Sequence, residues 1–205
     1  MYIFLFFSNT NFEHNKKGGN VLKATGVVRR IDDLGRIVIP KEIRRTLHIK
    51  EGDPLEIFTD KEGEIILKKY SPIGELSEFA TGYAETLSKT TGHIACITDK
   101  DTVIAVSGGS KKEFLEQSLS PELEKVIENK EIYTSKANNE IALPITQNDN
   151  KQWRYNSQVI YPIIADGDVI GSVILLSKEQ NTQMGDTELK VVQSAAGFLS
   201  SQMDV

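Results

Sequence analysis

Apolar residues fall into two patterns along the chain, and they change over near residue 72. Between residues 23 and 70 they come in short β-branched runs broken by polar turns. Residues 25–31 predict a strand, 32–35 (Asp-Asp-Leu-Gly) a turn, and 36–39 a second short strand. Pro40 suits the first position of a helix over residues 41–48, which the Ile-Lys-Glu-Gly-Asp-Pro stretch of residues 49–54 ends. Residues 55–59 and 64–70 predict two more strands, joined by a hairpin turn at residues 60–63.

Beyond Ser71-Pro72-Ile73-Gly74, helical and strand periods alternate. Leu76, Phe79, Ala80, Tyr83 and Leu87 form one stripe of a helix that stops at Thr91-Gly92. Residues 93–98 and 102–107 predict strands, and residues 110–129 predict mostly helix. Residues 132–152 mix Asn-rich turns with one apolar run at 141–145. Residues 158–164 and 169–177 form the clearest hairpin, turning at Asp166-Gly167. The last helix is predicted over residues 186–203. Leu189, Val192, Ala196, Leu199 and Met203 repeat along it at 3-4-3-4 spacing, and Val191, Ala195 and Phe198 widen the stripe to nearly half the circumference. So wide a face suits either a core helix or a helix shared between the sheet and a partner subunit.

Charge sharpens this division. The 205 residues carry 24 Lys+Arg and 29 Asp+Glu, a net charge of −5. Residues 21–71 are net +2 and residues 72–205 net −8. Five of the six arginines lie between Lys23 and Arg45, a stretch of net +4. On a helical wheel, Ile43 and Leu47 share one side. Lys41, Arg44, Arg45 and His48 gather on another, within roughly 100° of arc. Arginine's planar fork suits phosphates and guanine edges. A module of about 48 residues is too small to bury a sufficient core by itself. Pairing with a second copy would complete the core and double the cluster.

The chemistry of many enzymes is missing. One cysteine, Cys96, and three scattered histidines build neither an internal disulfide nor a Cys/His zinc site. Ser107-Gly108-Gly109-Ser110-Lys111 lacks P-loop spacing and reads as a strand-end turn. Cys96 lies among Ile94, Ala95 and Ile97 and reads as buried filler. Asp99 with Asp101, and Asp166 with Asp168, read as turn formers. Trp153, Arg154 and Tyr155 offer only a weak aromatic-basic contact. No catalytic residue, metal ligand or cofactor motif is predicted, and the chain is read as a non-enzyme.

The first twenty-one residues stand apart. Six apolar residues, Tyr2 to Phe7, are too few to span a bilayer, and no signal-peptide pattern surrounds them. Lys16-Lys17-Gly18-Gly19-Asn20 back-translates to codons that can contain a bacterial ribosome-binding sequence. Initiation is therefore expected at Val21 or Leu22, with residues 1–21 a translated leader or a disordered extension.

The stretch from Lys23 through Leu47, and above all "LGRIVIPKEIRRTL" at residues 34–47, resembles the AbrB-type swapped-hairpin DNA-binding domain of bacterial transition-state regulators. The resemblance runs on through residues 52–58 and 65–72. Joined to a long acidic second half, it is most similar to sporulation regulators that carry a GAF-like C-terminal domain. The resemblance implies an α+β two-domain chain. Residues 22–72 would form a swapped-hairpin β domain, an interleaved homodimer, and residues 74–205 a GAF-like α/β domain for sensing and oligomerisation. It implies Arg29, Arg36, Arg44 and Arg45 as contacts to double-stranded DNA, with Arg30 and Lys41 secondary. Helix positions Leu76, Tyr83, Leu189, Val192, Ala196, Leu199 and Met203 are expected to carry a homotetramer. An unknown small-molecule effector would sit between the sheet and the loops of roughly residues 107–158, with no ligand residue assigned. The implied function is transcription regulation in the cytoplasm of the forespore, without a membrane. The alternative is an antitoxin built on the same N-terminal fold.

Overall fold

A computed structural model describes residues 5–7, 29–47, 49–59, 61, 65–135, 142–149, 155–180 and 182–203. The chain divides into two compact units, Met1–Tyr70 and Ser71–Val205.

The first unit holds strands β1 (Leu5–Phe7), β2 (Leu55–Thr59) and β3 (Ile65–Lys69) and one short helix, α1 (Lys41–Thr46). The β2–β3 pair is an antiparallel ladder from Leu55↔Lys69 to Thr59↔Ile65, as the alternation of residues 55–70 predicts. On the other side of β3, β1 runs parallel in register Leu5↔Ile65 to Phe7↔Leu67. Of residues 1–21, expected to be a translated leader or a disordered extension, all but these three lie outside the described residues. Most of the first predicted strand lies outside the described residues. The second, residues 36–39, is in no strand ladder among the described residues. Helix α1 begins one residue after Pro40, which stands at its N-cap, and ends two residues short of the prediction. His48 lies outside the described residues.

The second unit is a five-stranded antiparallel sheet in the order β5-β4-β8-β7-β6. These are β4 (Ile94–Thr98), β5 (Val103–Ser107), β6 (Tyr133–Ser135), β7 (Ser157–Ala165) and β8 (Asp168–Ser177). The β7–β8 hairpin is its spine. Asp166 and Gly167 turn it with φ of 50° and 81°, the double left-handed geometry of a type I′ turn. Nine consecutive residues of β8 are buried, because both faces of the sheet are covered.

On one face lie α2 (Pro72–Glu75), α3 (Ser77–Thr91) and α6 (Asp186–Ser201), over a core that includes Ala84, Leu87, Ile163, Leu175, Val192 and Leu199. On the other lie α4 (Lys111–Phe114), α5 (Pro121–Glu128) and the crossing segment 142–149, over Phe114, Leu123, Ile127, Ile145, Tyr155, Ile160 and Ile174. Cys96 is fully buried in this second core, and burial pushes its thiol pKa far up. The single helix expected over residues 110–129 is two short ones. Between them Thr102 bridges Ser118 and Leu119 bridges Thr146. Ser120 then caps α5, its Oγ accepting from the Leu123 N–H at 3.1 Å, with Pro121 opening the helix.

Two polar anchors fix the start of this unit. The Asp99 carboxylate accepts the N–H groups of Asp101 and Thr102 at 2.8 and 2.6 Å, which makes it the turn former expected of it. It also accepts the Ser71 hydroxyl at 3.0 Å, while Ser71 caps α2 by accepting the Gly74 N–H. Enclosure raises the Asp99 pKa despite these bonds.

Gly171 on β8 faces Ile163 across the β7 ladder and meets the backbone of Thr98 on its other side, where an added Cβ would collide with the Thr98 carbonyl. Backbone cannot retract as a flexible side chain can. Gly171→Ala is expected to destabilise the chain by about 1–3 kcal/mol, read as a lower thermal midpoint. An unchanged midpoint would show that β4 and β8 separate without cost.

Candidate nucleic-acid interface

The basic residues are placed by one turn and one helix. Asp32 organises the turn. Its Oδ1 accepts the backbone N–H of Leu34 at 3.0 Å and of Arg36 at 2.7 Å. The backbone adds an Asp32 N–H to Arg36 carbonyl bond at 3.0 Å, and Gly35, at φ 76°, donates back to the Asp32 carbonyl. Asp32 Oδ2 then accepts Arg36 Nε at 2.8 Å. The Arg36 side chain is thereby aimed while it stays 69% exposed. The Arg36 N–H and then its guanidinium hold the Asp32 carboxyl below its usual pKa.

Helix α1 presents the rest. Lys41 and Arg45 are exposed, and Arg44 is half-buried with its Nε enclosed and without a hydrogen-bond partner among the described residues. Ile43 and Leu47 are half-buried on the other side, as the wheel predicts. Arg44 and Arg45 lie in the last turn, where the helix dipole favours cations. Arg29 and Arg30 are exposed on the residues leading into the Asp32 turn. The turn thus gathers Arg29, Arg30 and Arg36 within eight residues, while Lys41, Arg44 and Arg45 follow on α1.

The helix positions expected to join subunits separate into two groups. Val192, Ala196 and Leu199 are 0–2% exposed and taken up by their own chain's core. These three serve the chain's own core, as the core-helix reading of the stripe has it. Leu76, Leu189, Met203 and Tyr83 are half-buried, the last three packed against the same core. The exposed part of the α3–α6 pair is instead Phe79 (57%) and Phe198 (40%). Phe198 stacks on Tyr83 with ring centroids 5.2 Å apart. With Gly82 and Thr86 they line a shallow groove. Phe79 was expected on the inward stripe and lies outside it. The wheel carried the signal, since Phe79 is offset by one residue from Ala80, which does point inward.

Of the remaining candidates, Trp153 and Arg154 lie outside the described residues. Tyr155 is buried and donates its hydroxyl to the Asp149 carboxylate at 3.0–3.1 Å, a structural tie beneath the sheet. Among the described residues, no group of three His, Cys, Asp or Glu side chains is placed to hold a metal ion. No described helix is long and apolar enough to cross a membrane.

A family model described as "Stage V sporulation protein T C-terminal, transcription factor" matches residues 75–204. Stage V sporulation protein T of Bacillus subtilis is 51% identical over 183 residues, covering 89% of this chain and 99% of that protein. The chain belongs to the stage V sporulation protein T family. Its first unit matches a second model, "Antidote-toxin recognition MazE, bacterial antitoxin", over residues 28–75. That unit is also 63% identical over 51 residues to the transition state regulatory protein AbrB of Bacillus subtilis, covering 25% of this chain and 52% of that one. The second unit's layered sheet is that of GAF domains. A GAF domain from an Acinetobacter phosphoenolpyruvate-protein phosphotransferase superposes with a TM-score of 0.51 at 15% identity, covering 66% of this chain and 84% of that one. This chain thus joins an AbrB-type head to a GAF-like second domain and is a DNA-binding regulator of sporulation.

Asp32→Ala is expected to open the head's turn and speed amide hydrogen exchange at Leu34 and Arg36 by about tenfold. Protonation acts in the same direction. With a folded-state pKa below the usual carboxylate value of about 4, the Asp32 contribution is present above that value and lost as pH falls through the lowered one. Exchange at both amides equal to wild type would mean that the backbone holds the turn alone.

Proposed function

We propose that the chain controls forespore genes by holding duplex DNA between two paired heads. Arg29, Arg36, Arg44 and Arg45 are the principal contacts in this reading, with Arg30 and Lys41 in support. One observation carries it: among its described residues, the unit that bears the arginine set shows no core of its own. Among the described residues of that unit whose burial is defined, Pro40 alone is buried. Ile31, Leu34, Val38, Ile57 and Phe58 are 41–70% exposed. Covering them with a second chain completes the fold and brings two arginine sets to one surface, where phosphate contacts supply affinity and base-edge or shape contacts supply selectivity.

In the same reading the C-terminal unit assembles dimers into a tetramer and admits an uncharacterised effector between its sheet and loop layer. The chain works in the cytoplasm and carries out no catalytic step. The antitoxin alternative is favoured by the match over residues 28–75. Against it stands the second unit, a folded domain with two cores rather than a short extended tail.

The double variant Arg44→Ala/Arg45→Ala is expected to weaken binding to operator DNA by about 1–3 kcal/mol and to flatten its salt dependence. Fluorescence anisotropy over a salt series reads both quantities, and an unchanged slope contradicts the assignment. Co-purification of a small toxic partner would shift the reading to the antitoxin.

Assembly is read separately. Exposed Phe79 and Phe198 line one shallow groove, so Phe79→Ser/Phe198→Ser is expected to halve the light-scattering mass of the full chain while leaving the paired heads intact. A variant of unchanged mass would place the tetramer contact elsewhere.

A further inference from the structure

Helix α1 carries two arginines without being held by a core. It is six residues long and none of them is buried. The half-buried Ile43 and Leu47 are a weak restraint on the direction in which Arg44 and Arg45 leave the head. A stronger one has to act at the helix ends, and the C-terminal end, beside both arginines, runs into a loop with a polar tie.

The tie is built on Asp53. The Ile49 N–H donates to the Arg44 carbonyl at 2.8 Å, which folds the chain after α1 back on its last turn. The next residue, Lys50, donates its N–H to Asp53 Oδ2 at 2.7 Å, and the Asp53 N–H returns to the Lys50 carbonyl at 3.3 Å. Gly52, at φ 90°, lets the chain close that turn. The same Oδ2 pairs with Lys69 Nζ at 3.1 Å. Lys69 ends β3 opposite Leu55, and one step further the Tyr70 N–H donates to the Pro54 carbonyl at 3.0 Å. One carboxylate oxygen thus joins the segment leaving the arginine helix to the central strand of the head's sheet.

Two features set this pair apart from an ordinary surface ion pair. Its side chains are 21% and 18% exposed, so solvent and salt screen it less than they screen an exposed pair. It also places a carboxylate on the unit that bears the arginine set, where negative charge by itself opposes a polyanion. A group that works against binding through its charge can still favour binding through the geometry it holds.

We propose that Asp53 is a positioning residue for DNA recognition. By bridging the Lys50 amide and the Lys69 ammonium it fixes the C-terminal turn of α1 and so orients Arg44 and Arg45. This rests on the DNA contacts proposed above for those two arginines and adds a residue that acts through them. Held in one orientation, the two side chains lose less freedom on binding and meet base edges in a single register. Released, they still find phosphates, which carry no sequence information.

Asp53→Asn in the full-length chain separates position from charge. The amide keeps the size of the side chain and an acceptor for Lys50, but it does not pair with an ammonium as a carboxylate does. By charge alone, losing a carboxylate tightens binding to any duplex. The tie predicts the reverse for a duplex selected by the wild-type chain from a random pool. Fluorescence anisotropy over a salt series compares that duplex with a scrambled one of the same length. Affinity for the selected duplex is expected to fall about tenfold, as two side chains must be ordered afresh. The salt slope should stay the same, because the phosphate contacts remain, and affinity for the scrambled duplex should hold or rise. Lys69→Met breaks the link from the other side and keeps the test available where Asp53→Asn does not fold. Its loss should match, and the double variant should bind no more weakly than either single one.

Unchanged or tighter binding of the selected duplex by Asp53→Asn overturns the assignment. So do equal losses on both duplexes, which a general loss of folded head would give, and additive losses in the double variant. A flattened slope in Lys69→Met would make Lys69 a phosphate contact and overturns it as well. The underlying reading fails in a different way. An unchanged slope in Arg44→Ala/Arg45→Ala removes the arginine contacts and the tie's role with them, whereas a flattened slope there beside a neutral Asp53→Asn removes the role of Asp53 alone.

Discussion

Among its described residues, the N-terminal unit has too little interior. Helix α1 contributes no buried residue, and Leu34, Val38 and Ile57 leave 66–70% of their surface exposed. At about 25 cal/mol for each Å² of apolar surface removed from water, such exposure withholds the main term that folds a domain. The remedy that also explains the arginines is a second chain. Residues 36–39, β-branched in sequence, are in no ladder among the described residues. On the proposed pairing, folding and the creation of a paired basic surface would be one event, and the stability of the head would depend on chain concentration.

The C-terminal unit stands at the opposite extreme. Its sheet is covered on both faces, and β7 and β8 form a hairpin buried along nearly its whole length. Apolar surface left over on the α3–α6 pair concentrates at Phe79 and Phe198. A unit that needs no partner to fold can still offer one defined contact, and this separates its stability from its assembly.

Where each element's period agreed with its turn chemistry, the fold was legible in sequence. Asp166-Gly167 between two apolar runs announced the β7–β8 hairpin, and Gly92 announced the end of α3, where it takes φ of 73°. Legibility failed where tertiary contacts decide between equal local options. Residues 110–129 carry helical composition throughout, yet Ser118 and Leu119 are claimed by bridges to Thr102 and Thr146, which split the helix. The wheel of α6 gave a wide stripe but not its division, because only the packed sheet shows that Val192, Ala196 and Leu199 are consumed inside. The head's arginines were legible as a cluster. What sequence did not reveal was Asp32 spending both carboxylate oxygens on Arg36 and its turn.

The bulk charge of −5 averages two units that act on opposite principles. A negative C-terminal unit is repelled by a polyanion and so leaves contact to the head, whose arginines are few but oriented. Orientation matters more than number here. Arg36 is held by Asp32 at 2.8 Å, and Arg44 is half-enclosed on a helix, so each has already lost side-chain freedom that a surface lysine would lose only on binding. In the proposed tetramer, tethering several heads through their C-terminal units would extend the same logic, because a second head would meet neighbouring DNA at an effective concentration set by the tether rather than by the bulk. Modest contacts per head can therefore sum to firm, salt-sensitive binding, and an effector that loosens the C-terminal assembly would release DNA without touching an arginine.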